Sequence, residues 1–350
     1  MFMSKRKRTA NKLISKWRAN LNGPSVVDRG LLGSAADARE QDVQELLNKL
    51  EDNQMKMLLK AVKDCDQDGD CILVSSKSFS EAHVQCCRFW RWHDLRQGSE
   101  LRRLPQCRSA LDSVYVCCNP NHWSRLCLPE TPPPPYSRTS IDRIRPEDRA
   151  PSELPFLTRN FCESLTTSGD SRMTSPLEWC KLAYWELRDR VGQLMPVETY
   201  TVNVFGNVPD RLEGWCLTEL GLQNLKATES VLSTRGKIGL GVTLCREADG
   251  SVWLYNRSDQ PVFVNSLYLE RGLGADAPGP VRIPADHCLR IHVPGAQQMF
   301  GWDSLVNYHG PMGDPNSIRI SFVKGWGTKY SRREITSCPC WLEILLAPCR

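Results

Sequence analysis

Val116-Cys-Cys-Asn-Pro-Asn-His122 places thiols and an imidazole five residues apart across a proline turn, so that Cys117 and His122 can face one ion. With Cys71 and Cys107 they make a spaced set of three thiolates and one imidazole, the donors of a closed tetrahedral zinc site. The long gaps on the other side leave the remaining ligands unassigned by spacing alone, and Cys86, Cys87 and Cys118 compete with them. Eight of the sixteen cysteines fall between Cys65 and Cys127. The basic N-terminus is followed by no apolar stretch of the secretory kind, so reduced thiols are expected rather than a disulfide framework. Clustered reduced thiols favour a metal, and four ligands with no open position would make it structural.

Before this region, Val43, Leu46, Leu47 and Leu50 keep helical spacing. After a break near Asp52-Asn53, the residues Met55, Leu58, Leu59 and Val62 repeat it. Two helices are expected, the second with Asn53 as its N-cap. Further upstream, residues 1–30 carry eight Lys or Arg against one acid, Asp28. Residues 1–37 read as a basic disordered tail, either a nuclear import signal or a phosphate-binding arm.

Beyond the cysteines, residues 130–175 are polar, punctuated by proline and without apolar periodicity, which defines a linker. Within it, Pro133-Pro-Pro-Tyr136 pre-forms a polyproline II turn with an aromatic anchor, the P-P-x-Y pattern that WW domains dock. Pro133, Pro134 and Tyr136 are its expected contacts. From Trp179 onward strands dominate: residues 200–205, 252–255 and 262–267, then Ile318, Ile320 and Phe322, and finally 341–346. Asp249-Gly250 makes a hairpin turn, and helices are expected near 220–233 and 296–306. Many short strands at turn-rich spacing imply a β-sandwich with helices at its ends.

Other chemistry is excluded residue by residue. Asp64-Cys-Asp66-Gln-Asp68-Gly69 opens like a calcium loop, but its twelfth position is Ser75 rather than a bidentate Glu. Gly272-Leu-Gly274 runs into Pro278-Gly-Pro280, so no helix can start there to receive a pyrophosphate. No nucleophile elbow, P-loop or H-E-x-x-H occurs, and no enzyme is expected. No apolar run reaches the roughly 18 residues of a membrane span. Lys324-Gly-Trp-Gly-Thr-Lys-Tyr-Ser-Arg-Arg333 is a glycine-broken basic loop suited to a phosphorylated Ser or Thr on a partner.

Several strings together resemble one family. Cys87-Arg-Phe-Trp-Arg-Trp-His-Asp-Leu95 and Val116–His122 are similar to the N-terminal Mad-homology domain of Smads. Pro132–Ser137 looks like the linker of inhibitory Smads; Ser321–Gly327 and Ile335–Ile344 look like the C-terminal Mad-homology domain. The resemblance implies an α+β chain: the tail (1–37), a small zinc-stapled domain (38–129), the linker (130–175) and a β-sandwich flanked by a helical bundle (176–350). It implies that Cys71, Cys107, Cys117 and His122 hold a structural Zn2+. It also implies that Lys324, Lys329 and Arg332, helped by Lys237 and Arg235, face an activated type I receptor serine/threonine kinase of the TGF-β or BMP class. The linker would recruit a WW-domain HECT ubiquitin ligase, and other Smads are further expected partners.

Two departures from the receptor-activated Smads matter. Those proteins end in Ser-Ser-x-Ser, whereas this sequence ends Pro348-Cys-Arg350, so a competitor for the receptor is expected, acting in cytoplasm and nucleus. Between Cys71 and Cys87 the segment is shorter than in DNA-binding relatives, with Lys77 its one basic residue, which puts sequence-specific DNA binding in doubt. The competing reading is a nuclear, zinc-containing DNA-binding co-repressor that uses the basic tail.

Overall fold

The computed structural model describes residues 4–21, 32–65, 67–77, 81–109, 112, 114–127, 178–207, 213–272, 279–295 and 316–347, with backbone alone for 32–39 and 271–272. The chain divides into two compact units, residues 1–126 and 127–350.

The first unit is helical around a small sheet. Its elements are α1 (Lys5–Leu21), α2 (Leu32–Lys49), α3 (Asp52–Asp64), β1 (Leu73–Ser75), α4 (Ala82–Trp90), β2 (Leu101–Arg103), β3 (Tyr115–Cys117) and β4 (Trp123–Leu126). One apolar cluster joins the helices: Leu13 and Trp17 of α1, Val43, Leu46 and Leu47 of α2, Met55 and Leu58 of α3, and Phe89 and Trp90 of α4. β1 and β3 pair antiparallel with Leu73 opposite Cys117, and β2 pairs with β4. The N-cap of α3 is Glu51 rather than the expected Asn53. Gln54 accepts the Glu51 N–H at 2.8 Å and completes a capping box.

The expected disordered tail is corrected by α1. Ala10, Leu13, Ile14 and Trp17 recur at helical spacing and are buried. Arg6 reaches across to the end of α2, donating to the carbonyls of Leu47 and Leu50 at 3.1 and 2.9 Å, and pairs with Asp52. The last carbonyls of a helix have no partner inside it, so this guanidinium takes the place of a C-cap. Trp90 donates its indole N–H to the Leu13 carbonyl at 3.2 Å, fixing the helix from the other side.

The second unit is a two-sheet sandwich. Its strands are β5 (Cys180–Glu186), β6 (Asp189–Val197), β7 (Thr201–Phe205), β8 (Trp215–Cys216), β9 (Val242–Arg246), β10 (Val252–Asn256), β11 (Val262–Asn265), β12 (Val281–Ile283), β13 (His287–His292), β14 (Ser317–Phe322) and β15 (Trp341–Leu346). Between them lie α5 (Leu217–Gly221), α6 (Glu229–Arg235) and α7 (Leu267–Gly272). One sheet runs β13-β10-β9-β7-β8 and the other β12-β11-β14-β15-β5-β6. Alternate residues such as Leu182, Val204, Leu244, Leu254, Val264, Ile320 and Ile344 meet in the core between them, as the period of two along a strand requires.

The expected hairpin at Asp249-Gly250 joins β9 to β10, with Gly250 at φ +80°. The single helix expected over 220–233 is two short ones, because Asn224 turns the chain and Thr228 caps a new start by accepting from Val231 N–H. The helix expected over 296–306 lies outside the described residues.

The outer face of the second sheet is also covered. Ala183 and Trp185 of β5, Phe263 of β11 and Trp341 of β15 pack with Trp326 and Ile335 from the chain between β14 and β15. Trp185 and Trp341 stack with centroids 5.1 Å apart. This second apolar layer is what fixes the basic loop in place.

Candidate metal centre and partner-binding loop

β3 runs into a short 3-10 turn, Pro120–His122, and that turn builds the metal site. Asn119 starts it by accepting the Asn121 N–H at 3.0 Å and donates its amide to the Asp70 carbonyl at 3.0 Å. Asn121 then donates to the Ala61 carbonyl at the end of α3, at 2.8 Å. The Asn-Pro-Asn string thus ties the turn to both sides of the site.

Cys71, Cys107, Cys117 and His122 come together with all four ligand atoms within 4.8 Å of one another, the one such group among the described residues. Cys71 Sγ lies 3.7 Å from Cys107 Sγ and 3.5 Å from His122 Nδ1, and Cys117 Sγ lies 3.4 Å from Nδ1. Zinc–sulfur bonds of about 2.3 Å at tetrahedral angles put sulfurs about 3.8 Å apart. The four atoms therefore enclose a space of the right size for that ion. His122 Nε2 lies 3.0 Å from the Gly69 carbonyl, which can only accept. The proton therefore sits on Nε2 and the Nδ1 lone pair faces the sulfurs, as a ligating imidazole needs.

The cluster also favours the ionised form of two of its sulfurs. The Cys117 thiol donates toward its neighbours, which pulls Cys107 down to about 3 and Cys71 to about 6 and pushes Cys117 itself up. Burial disfavours the charged form of His122, but the sulfurs of Cys107 and Cys71 beside it raise its pKa on balance.

The competing cysteines are elsewhere. Cys118 follows Cys117 and so points the other way. It is fully buried in the helical core together with Cys86, and Cys87 is buried in a separate apolar cluster. Cys117→Ser should therefore remove bound zinc from the purified chain while Cys118→Ala keeps one equivalent, read by metal analysis. Loss of metal from both variants would refute the division.

The expected receptor-facing residues separate into two groups. Val323 (φ +65°) and Gly327 (φ +100°) turn the loop. A Cβ on Gly325 would stand 2.5 Å from the Tyr330 ring, so only glycine fits there. Gly327 N–H donates to the Arg332 carbonyl at 2.8 Å, and Ser321 holds the Lys324 carbonyl at 2.7 Å. Trp326 is buried beneath. This leaves Lys329 and Arg333 exposed, Lys324 half-buried, and Lys237 exposed on the turn after α6.

Arg332 and Arg235 are corrected. Arg332 is 6% exposed and lies by the Cys338 thiol, which burial pushes up to about 12 against the pull of that guanidinium. Arg333 is the exposed member of the pair, and it donates to the Thr328 carbonyl at 3.1 Å. Arg235 is likewise 6% exposed and donates to Glu186 Oε1 through Nε at 3.0 Å and Nη2 at 2.5 Å. The same carboxylate accepts from Tyr184 at 2.8 Å and Asn224 at 2.7 Å. Both carboxylate oxygens of Glu186 are engaged within the fold. Pro133, Pro134 and Tyr136 lie outside the described residues.

Six residues, 76–81, separate β1 from α4. No described helix is long and apolar enough to cross a membrane.

Comparison with known proteins adds the family context. The MH1 domain family matches residues 39–127 and the MH2 domain family residues 177–347. Mothers against decapentaplegic homolog 6 of Gallus gallus is 41% identical over 335 residues, covering 86% of this chain and 73% of that protein. Mothers against decapentaplegic homolog 7 of Mus musculus is 34% identical over 364 residues, covering 92% and 81%. Dwarfin sma-3 of Caenorhabditis elegans is 30% identical over 285 residues, covering 75% and 72%.

Proposed function

The chain belongs to the Smad family, in its inhibitory branch, an adaptor class without enzymatic activity, and on that premise we propose how it lowers TGF-β/BMP signalling. It occupies activated type I receptor kinases through the MH2 domain and brings a WW-domain HECT ubiquitin ligase to them through Pro133, Pro134 and Tyr136. It acts in cytoplasm and nucleus, and zinc held by Cys71, Cys107, Cys117 and His122 is structural.

The observation that carries the receptor reading is the loop between β14 and β15. Its backbone is held by Gly325, Gly327 and the buried Trp326, while Lys329 and Arg333 stand exposed. A pre-formed basic loop loses little entropy when it meets a phosphoserine cluster, and each charge-assisted bond then adds to affinity. Lys324 and Lys237 extend this basic surface; Arg332 serves inside the loop.

In a pulldown, the full chain should bind a phosphorylated type I receptor kinase domain in preference to the unphosphorylated one. Lys329→Glu with Arg333→Glu should weaken that binding by about tenfold or more. Equal binding to both receptor forms would refute the proposal. For the linker, Tyr136→Ala should abolish binding to a WW domain; an affinity within about twofold of the parent would leave the proline run a spacer. Against the co-repressor reading stands the basic tail itself, whose residues 5–21 form a helix packed on the core of its own domain.

A further inference from the structure

From Lys329 to Arg333 the loop that joins β14 to β15 alternates in exposure. Lys329, Ser331 and Arg333 are exposed, whereas Tyr330 is half-buried and Arg332 buried. The inward pair is anchored. The Tyr330 ring meets Phe263 edge-on with centroids 5.5 Å apart, and the Arg332 carbonyl accepts the Gly327 N–H at 2.8 Å. The three outward side chains thus stand over a backbone that is fixed beneath them. Cα atoms two residues apart are at most about 7.6 Å distant, so a group built on the Ser331 hydroxyl is within reach of both cations. That hydroxyl bonds to nothing among the described residues. Glu334, the nearest carboxylate in sequence, accepts from the Thr336 hydroxyl at 3.2 Å.

We propose that Ser331 is a phosphorylation site, at which a basophilic serine/threonine kinase switches off the partner-binding loop; the switch rests on the receptor reading above. The kinase transfers the γ-phosphoryl group of ATP. A bond forms between Ser331 Oγ and Pγ, the bond from Pγ to the bridging oxygen breaks, ADP leaves, and the hydroxyl proton passes to the kinase's general base. A cation two residues before the acceptor and another two after it supply the charge pattern by which such kinases choose substrates. The product carries a charge of about −1.5 to −2 between Lys329 and Arg333. It draws both side chains into charge-assisted bonds within the loop and repels an incoming phosphoserine. The fold is spared, because Trp326, Tyr330 and the Gly327 turn hold the loop from its other side.

The test has two arms. In the first, the full chain is incubated with the catalytic domain of protein kinase C and ATP, and the modified residue is located by mass spectrometry. Ser331 should be modified, and Lys329→Ala with Arg333→Ala should slow the reaction at least about tenfold. In the second, binding to a phosphorylated type I receptor kinase domain is measured for a full chain carrying phosphoserine at 331 in every molecule. It should bind at least about tenfold more weakly than the parent, whereas Ser331→Ala should stay within about threefold, both with unchanged melting profiles. An unmodified Ser331, under conditions that phosphorylate a basic control peptide, would overturn the site. Undiminished binding by the phosphoserine form would overturn the switch. A parent chain without preference for the phosphorylated receptor would refute the receptor reading and the switch together, and the kinase arm would still decide the site.

Discussion

Stripping zinc from the full chain with a strong chelator is expected to unfold the MH1 domain, with loss of the helical signal and exposure of Trp17 and Trp90. The four ligands come from separate places: Cys71 before β1, Cys107 in the chain after β2, Cys117 at the end of β3 and His122 in the following turn. Little regular structure joins them, since β1 and β3 are three residues each. Structural zinc in small domains contributes roughly 10–16 kcal/mol of apparent binding energy, comparable with the whole stability of a domain this size. The sandwich contains no ligand of the cluster and should keep its strand signal. Circular dichroism with stoichiometric chelator checks this, and re-addition of zinc should restore the helical signal. An unchanged spectrum after proven metal removal would show that the apolar core suffices.

Glu186→Ala is expected to destabilise the MH2 domain by about 3–5 kcal/mol, because it leaves the Arg235 guanidinium buried without its partner. Glu186 and Arg235 side chains are 0% and 7% exposed, so water cannot substitute. The tyrosine and asparagine that also donate to this carboxylate lose their acceptor, which leaves buried polar atoms of the kind that cost about 1–3 kcal/mol each. The double substitution Glu186→Met with Arg235→Met removes both charges and should recover part of the loss. Chemical denaturation of the single and double variants gives the comparison. A single-variant loss below about 1 kcal/mol would mean that Arg235 finds solvent, and that its place in the fold is not the one described.

That pair also shows where sequence reading stops. Arg235 sits in a basic stretch and reads as surface charge, yet its partner Glu186 is 49 residues distant and no local pattern links them. Arg332 fails in the same way, since burying one of two adjacent arginines depends on which side the Trp326 layer lies. The choice between Cys117 and Cys118 is similar: neighbours on an extended chain point to opposite sides, but only the position of the helical core says which of the two faces the other ligands. By contrast, the strands were legible from their period of two, because core residues such as Val252 and Leu254, or Ile318 and Ile320, need no partner specified in advance. The four-ligand set was legible through the family resemblance, not through spacing. Helix α1 was hidden by composition: Leu13, Ile14 and Trp17 keep helical spacing, but they are few among lysines and arginines.

The docking of α1 has a practical consequence for preparing this domain. The residues matched by the MH1 family begin at 39, so a fragment trimmed to that match would lose Leu13, Ile14 and Trp17 from the cluster they complete. It would also uncap the end of α2, where Arg6 now binds the Leu47 and Leu50 carbonyls. Leu46, Met55, Leu58 and Trp90 would be left facing water in a single greasy trough, the kind of surface that drives self-association. Poor solubility of such a fragment would then reflect where it was cut, not a defect of the domain.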